Sequence, residues 1–240
     1  MRDATAAETR VRYARIAGFV YLLLIVLFMS GQFTISRIAG SGDFAETAKH
    51  IMAGERLYRV ALSAQMLTSV LTVFLAYALY ATLRSVDENL ARMALYWRLG
   101  EAFIGGALSF LDFATLNLYT DPKYLEVLGA DKLQAVIGLA RSAGFASFNV
   151  TTTFFAVGST LFFYLFLQSR SIPRVLSAFG IFASVVVLFI SLGDLVLPAY
   201  ANVIQFGWAP IFIAEITTGL WLWVCGVKTG VETDPVESRP

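Results

Sequence analysis

Three runs without a single charged residue, 16–36, 60–83 and 142–169, decide most of what this chain can fold into. Each is bracketed by arginine: Arg15 and Arg37, Arg59 and Arg84, Arg141 and Arg170. Crossing about 30 Å of hydrocarbon takes about 20 helical residues, and each run is at least that long. Soluble domains carry roughly 25% charged residues, whereas these 240 residues carry 15%, with 58% hydrophobic and a mean hydropathy of +0.69. So much apolar surface excludes a disordered chain, a collagen-like repeat and a nucleic-acid module. A net charge of +1 gives no steering field for polyanions. The one cysteine, Cys225, cannot form an intrachain disulfide, and the one histidine, His50, cannot supply a multi-histidine metal site.

Three further spans run through ionisable residues. Span 96–119 contains Arg98, Glu101 and Asp112, span 175–197 contains Asp194, and span 208–227 contains Glu215. In lipid every backbone N–H and C=O must be paired within a helix or a closed barrel. Barrel strands alternate apolar and polar residues over about 10 positions, and these runs do not. The expectation is an all-α polytopic membrane helix bundle of six transmembrane helices, a single unit over 1–228, with 229–240 as a disordered cytoplasmic tail.

The lysine and arginine bias sets the orientation. With the N-terminus in the cytoplasm, eleven of the eighteen fall on inner segments and seven on outer ones. Both termini are expected inside, in the plasma (inner) membrane. The basic start suggests a signal peptide, but the first apolar run is too long for one and lacks a small-residue cleavage site, so it reads as a retained helix. In the first outer connection Phe44, Ala48, Ile51 and Met52 share one face, with Glu46, Lys49 and Glu55 away from it, the pattern of a short interfacial helix. In the second, Thr120-Asp121-Pro122 is a turn signal and Asp131 a helix cap leading into the fourth span. Pro173, Pro198 and Pro210 stand where proline does least damage. No internal repeat supports a transporter built from inverted halves.

Several short motifs recur through the spans. They are Arg15-Ile16-Ala17-Gly18 with Tyr21-Leu22-Leu23, Leu57-Tyr58-Arg59, Leu79-Tyr80 with Leu83-Arg84, and Arg98-Leu99-Gly100. Ile172-Pro173-Arg174-Val175-Leu176, and Ala214-Glu215 with Leu220-Trp221-Leu222, complete them. In these the chain resembles, over nearly its whole length, a family of bacterial multi-pass membrane proteins classed only as a domain of unknown function. The resemblance implies a polytopic inner-membrane protein and carries no activity or catalytic residues with it.

Depth along the spans singles out residues for function. Asp112, Asp194 and Glu215, with Gln65 and Asn149, fall by residue count in the outer half of the bilayer, one from each of five helices. Gln65, Thr68, Ser69 and Thr72, and likewise Asn149, Thr152, Thr153 and Thr160, keep one helix face polar. A carboxylate in hydrocarbon costs several kcal/mol, so the acids should face the bundle interior, water or a partner cation. Together they suggest an outer-facing acidic cavity that binds or moves a proton, a cation or a small amphiphile. Against this stands the ordinary role of such stripes, close packing between membrane helices. Arg98 and Glu101, spaced i,i+3 on the cytoplasmic side, form an inner ion pair. It either anchors the third span or acts as a lock opened by protonation of Glu101.

Other features are thinner. His50 with nearby carboxylates is a weak metal candidate, more readily a solvated side chain. Asn149-Val150-Thr151 matches a glycosylation sequon inside a span, and Cys225 reads as a packing residue near the inner interface. The tryptophans fit aromatic belts. There is no phosphate-cradling glycine loop, nucleophile elbow or paired-cysteine motif, and no cofactor is expected. Three function classes remain: a membrane protein with a ligandable polar cavity, an intramembrane enzyme acting on lipid through its acids, and a structural or sensory subunit. The expected partners are the lipid bilayer and a small ligand or cation, not nucleic acid; the sequence names no protein partner.

Overall fold

The computed structural model describes residues 2–197 and 207–228. Pro198 and the tail 229–240 lie outside the described residues. Among the described residues the regular structure is helical throughout. It comprises α1 (Arg2–Ala39), α2 (Phe44–Ala53), α3 (Glu55–Leu83), α4 (Glu88–Thr120), α5 (Pro122–Ser169), α6 (Arg174–Val196) and α7 (Trp208–Val224). Five of these, α1 and α3 to α6, are long and apolar enough to cross a membrane. α7, with 17 residues, measures about 25 Å at about 1.5 Å per residue, the short end of what spans a bilayer.

Local chemistry sets most helix ends. Asp43 caps α2 by accepting from the Glu46 N–H at 2.9 Å, and Asp87 caps α4 by accepting from the Leu90 N–H at 3.0 Å. Asp121 caps α5, accepting from the Lys123 N–H at 3.1 Å, with Pro122 in the first turn. The connection is helical on both sides of Gly129, whose backbone (φ 73°, ψ 164°) is non-helical and needs glycine, so α5 is two helical segments meeting at a kink. Asp131 stands two residues beyond that kink, at the start of the segment that leads into 142–169. Leu133 and Ile137, one turn apart, are buried and explain why this stretch folds as an amphipathic helix.

The six long helices form a ring in chain order: α1 packs on α3, α3 on α4, α4 on α5, α5 on α6, α6 on α7, and α7 returns to α1. Short connections make sequential helices neighbours; the return of α7 to α1 depends on Gly18. A Cβ there would collide with the backbone of Gly219, Leu222 and Trp223. One core, including Ala17, Leu79, Ala94, Phe163, Val187 and Leu222, fills the half of the ring nearer the start of α1. The opposite end has a small separate core of Ile51, Leu62 and Leu116, with α2 as its roof. The short helix expected in the first connection is thus present and packs through Ile51, while Phe44 stacks on Tyr119 at 5.8 Å between centroids.

At the end where α1 starts, Arg10 ties three elements together. Its Nε donates to the Thr82 carbonyl of α3 at 2.8 Å, and its Nη2 to Ser171 Oγ, in the α5–α6 turn, at 2.7 Å. The Lys228 N–H donates to the Ser171 carbonyl at 3.0 Å, fixing the chain just beyond α7 to the same turn. Cys225 is exposed rather than packed.

Candidate functional site: a charged layer inside the ring

Arg98, on α4, is 3% exposed although fully charged side chains are rarely buried. Its Nη1 lies 3.0 Å from Glu101 Oε2, one turn along the same helix. The stem of Arg98 is housed by α5. A Cβ on Gly158 would come within 2.9 Å of Arg98 Cγ and 3.2 Å of the Ala94 carbonyl oxygen, so glycine is what admits a long side chain between α4 and α5. The Phe155 ring lies beneath the guanidinium, 4.7 Å from its carbon, a cation–π contact.

The ion pair is incompletely bonded. Although the Arg98–Glu101 contact is short, its geometry is not that of a hydrogen bond, and Arg98 Nε and Nη1 and Glu101 Oε2 are buried without one among the described residues. Buried polar groups normally find partners, because each one left alone costs about 1–3 kcal/mol or more. The other groups facing this pair come from different helices. Glu215 of α7 lies within electrostatic reach of both Arg98 and Glu101. Tyr21 of α1, 4% exposed, is within reach of all three and sits beside Ser159 of α5. The layer thus contains two carboxyls, one guanidinium and a phenol, drawn from three helices, α1, α4 and α7, with Ser159 and Phe155 of α5 beside them.

This grouping differs from the one residue counting suggested. α7 begins at Trp208 and is short, so Glu215 falls near its middle. It joins Arg98 and Glu101 rather than Asp112. Asp112 is exposed and lies within electrostatic reach of Tyr58. Asp194 is 8% exposed in the last turn of α6, with Oδ1 buried and unbonded among the described residues. Gln65 packs against Gly31, across the α1–α3 contact. Asn149 is buried, donating from Nδ2 to the Phe145 carbonyl at 3.1 Å while its Oδ1 is without a bond. The threonine stripes bond back to their own helices: Thr72 to Thr68, Thr152 to Phe148, Thr153 to Asn149 and Thr160 to Ala156, each hydroxyl donating to a carbonyl. That is how hydroxyls are satisfied on packed helices.

His50 is exposed, with Nε2 4.0 Å from Glu46 Oε1. Among the described residues no three His, Cys, Asp or Glu side chains are grouped to hold a metal ion. Under the α2 roof lies a cavity of about 280 Å³ bordered by Asp43, Thr47, Tyr119, Gln134 and Arg141. None of the five residues picked by depth lines it. Ser159 and Gly158 escaped attention in the sequence because a serine and a glycine in an apolar run are ordinary one by one, and Tyr21 stood out there only as part of a motif, with no role.

Fold and site together define a class: a polytopic α-helical, membrane-embedded protein with charged side chains inside its ring of helices. Within that class the chain belongs to the family described as a domain of unknown function (DUF4386), which it matches over residues 16–226. No curated protein matches it, and no solved structure does.

Proposed function

We propose that this protein binds one exchangeable proton at the Arg98–Glu101–Glu215 centre, in a bacterial inner membrane with both chain ends on the cytoplasmic side. The observation that carries the reading is a charge count: two carboxyls face a single guanidinium away from bulk water. With both acids ionised the layer would hold an uncompensated negative charge in a low-dielectric interior, at a cost of several kcal/mol. One shared proton removes that charge. Tyr21 supplies a neutral hydrogen-bonding group beside the acids, and the unbonded atoms of Arg98 and Glu101 leave room for rearrangement as the proton moves.

The reading is narrower than a cavity for a proton, a cation or a small amphiphile. It centres on Glu215 with Arg98 and Glu101, and leaves Asp112 and Asp194 outside. Infrared spectroscopy of the purified protein tests it. The wild type should show the C=O stretch of one protonated carboxyl, sensitive to deuterium exchange. Glu215→Gln and Glu101→Gln should each abolish it, because the remaining carboxylate then pairs with Arg98, while Asp112→Asn should leave it intact. Absence of the band in the wild type, or its persistence in both glutamine variants, would overturn the assignment.

A further inference from the structure

Along α1 charge gives way to apolar surface within about three turns, from Glu8, Arg12 and Arg15 to Ile16 and Phe19. α7 lies alongside and brings Trp223, half exposed, to 5.9 Å from the Phe19 ring. The two helices border an open groove of about 870 Å³, cationic at one end through Arg12 and Arg15 and apolar at the other through Ile16, Phe19 and Trp223. Both arginines are exposed, and neither has a hydrogen bond or ion pair among the described residues. Arg10, by contrast, is fully engaged by Thr82 and Ser171. Glu8 also lines the groove, leaving it with a surplus of one positive charge.

We propose that this groove seats one anionic phospholipid, its phosphate between Arg12 and Arg15 and the start of an acyl chain along Ile16, Phe19 and Trp223. The charge complements the headgroup, and the change from cationic to apolar along α1 follows the polarity of a lipid from headgroup to tail. A soluble anion would use only the cationic end and leave the aromatic wall uncovered. Basic side chains at a membrane surface attract anionic lipid, and Trp and Arg are the residues suited to that boundary. The site is separate from the buried layer and does not depend on its proton.

Native mass spectrometry of the full chain, titrated with phosphatidylglycerol, phosphatidylethanolamine or phosphatidylcholine, tests the proposal. One phosphatidylglycerol should be retained in preference to either zwitterionic lipid. The double variant Arg12→Gln/Arg15→Gln should weaken its retention about thirtyfold, from about fivefold per basic residue. Arg84→Gln/Arg174→Gln removes two exposed arginines from the same end of the molecule and should change retention less than about twofold. Equal retention of all three lipids, or an equal loss in the two double variants, would overturn it.

Discussion

The two ends of the bundle are built by different physics. Near the start of α1, all six long helices share one core, closed by Gly18 against α7 and tied by Arg10 to α3 and the α5–α6 turn. The buried charged layer rests on that core. Towards the α2 end the shared core gives out. A small cluster under α2 is bordered by an open cavity, and Thr115 and Thr120 there bond to their own helix. In the first region Arg10 and Arg98 depend on several helices at once, and in the second Thr115 and Thr120 are satisfied by their own. Depth along a span is therefore a poor guide to function, and convergence between helices a better one.

The strongest challenge to this contrast is Arg98→Leu, which leaves two carboxyls without their counter-charge. Removing one partner of a buried pair costs about 3–5 kcal/mol, so a large fall in the thermal unfolding midpoint in detergent is expected. Adding Glu215→Gln should recover part of it, since one acid then no longer needs compensation. No recovery would mean that Glu215 is energetically independent of Arg98. Gly158→Ala comes next. Its new Cβ meets the Arg98 stem at 2.9 Å, and such overpacking costs about 1–3 kcal/mol; denaturant or thermal titration would measure it. The smallest effect belongs to the other region. Thr115→Val loses only a bond to the Leu111 carbonyl on its own helix, and in membranes such a change should cost under about 1 kcal/mol. A loss as large as that of Gly158→Ala would erase the distinction between the two ends.

Much of the fold is legible in the order of residues. The uncharged run 16–36 between Arg15 and Arg37 becomes the apolar stretch of α1, and the run 60–83 ends with α3 at Leu83. The face formed by Phe44, Ala48 and Ile51 becomes α2. Asp121-Pro122 starts the first segment of α5, and the second begins beyond the non-helical Gly129, next to Asp131, so what the sequence missed was the earlier helix and not the later one. Half of the buried layer was legible too. Arg98 and Glu101 are neighbours by helical spacing alone, but their burial was not legible: the sequence placed them on the cytoplasmic side near the interface, whereas Arg98 is 3% exposed. Glu215 was recognised as significant but assigned to the wrong company, because position along a helix says nothing about which helix stands opposite. Tyr21 showed only as part of a motif and Gly158 not at all, since their roles exist only in relation to Arg98.

What the sequence by itself determined is the solvent and the secondary structure. Long uncharged runs cannot leave their backbone unpaired in hydrocarbon, so helices that cross a membrane follow from composition and length. Only the tertiary structure decided the ring: that α7 closes on α1, that Glu215 meets Arg98, and that Arg12 and Arg15 border a groove with Trp223. The physical reason is that hydrocarbon rewards almost any apolar surface equally, so partner choice among the helices falls to close approach at glycines and to a few polar contacts. These depend on residues far apart in the chain and cannot be counted along it.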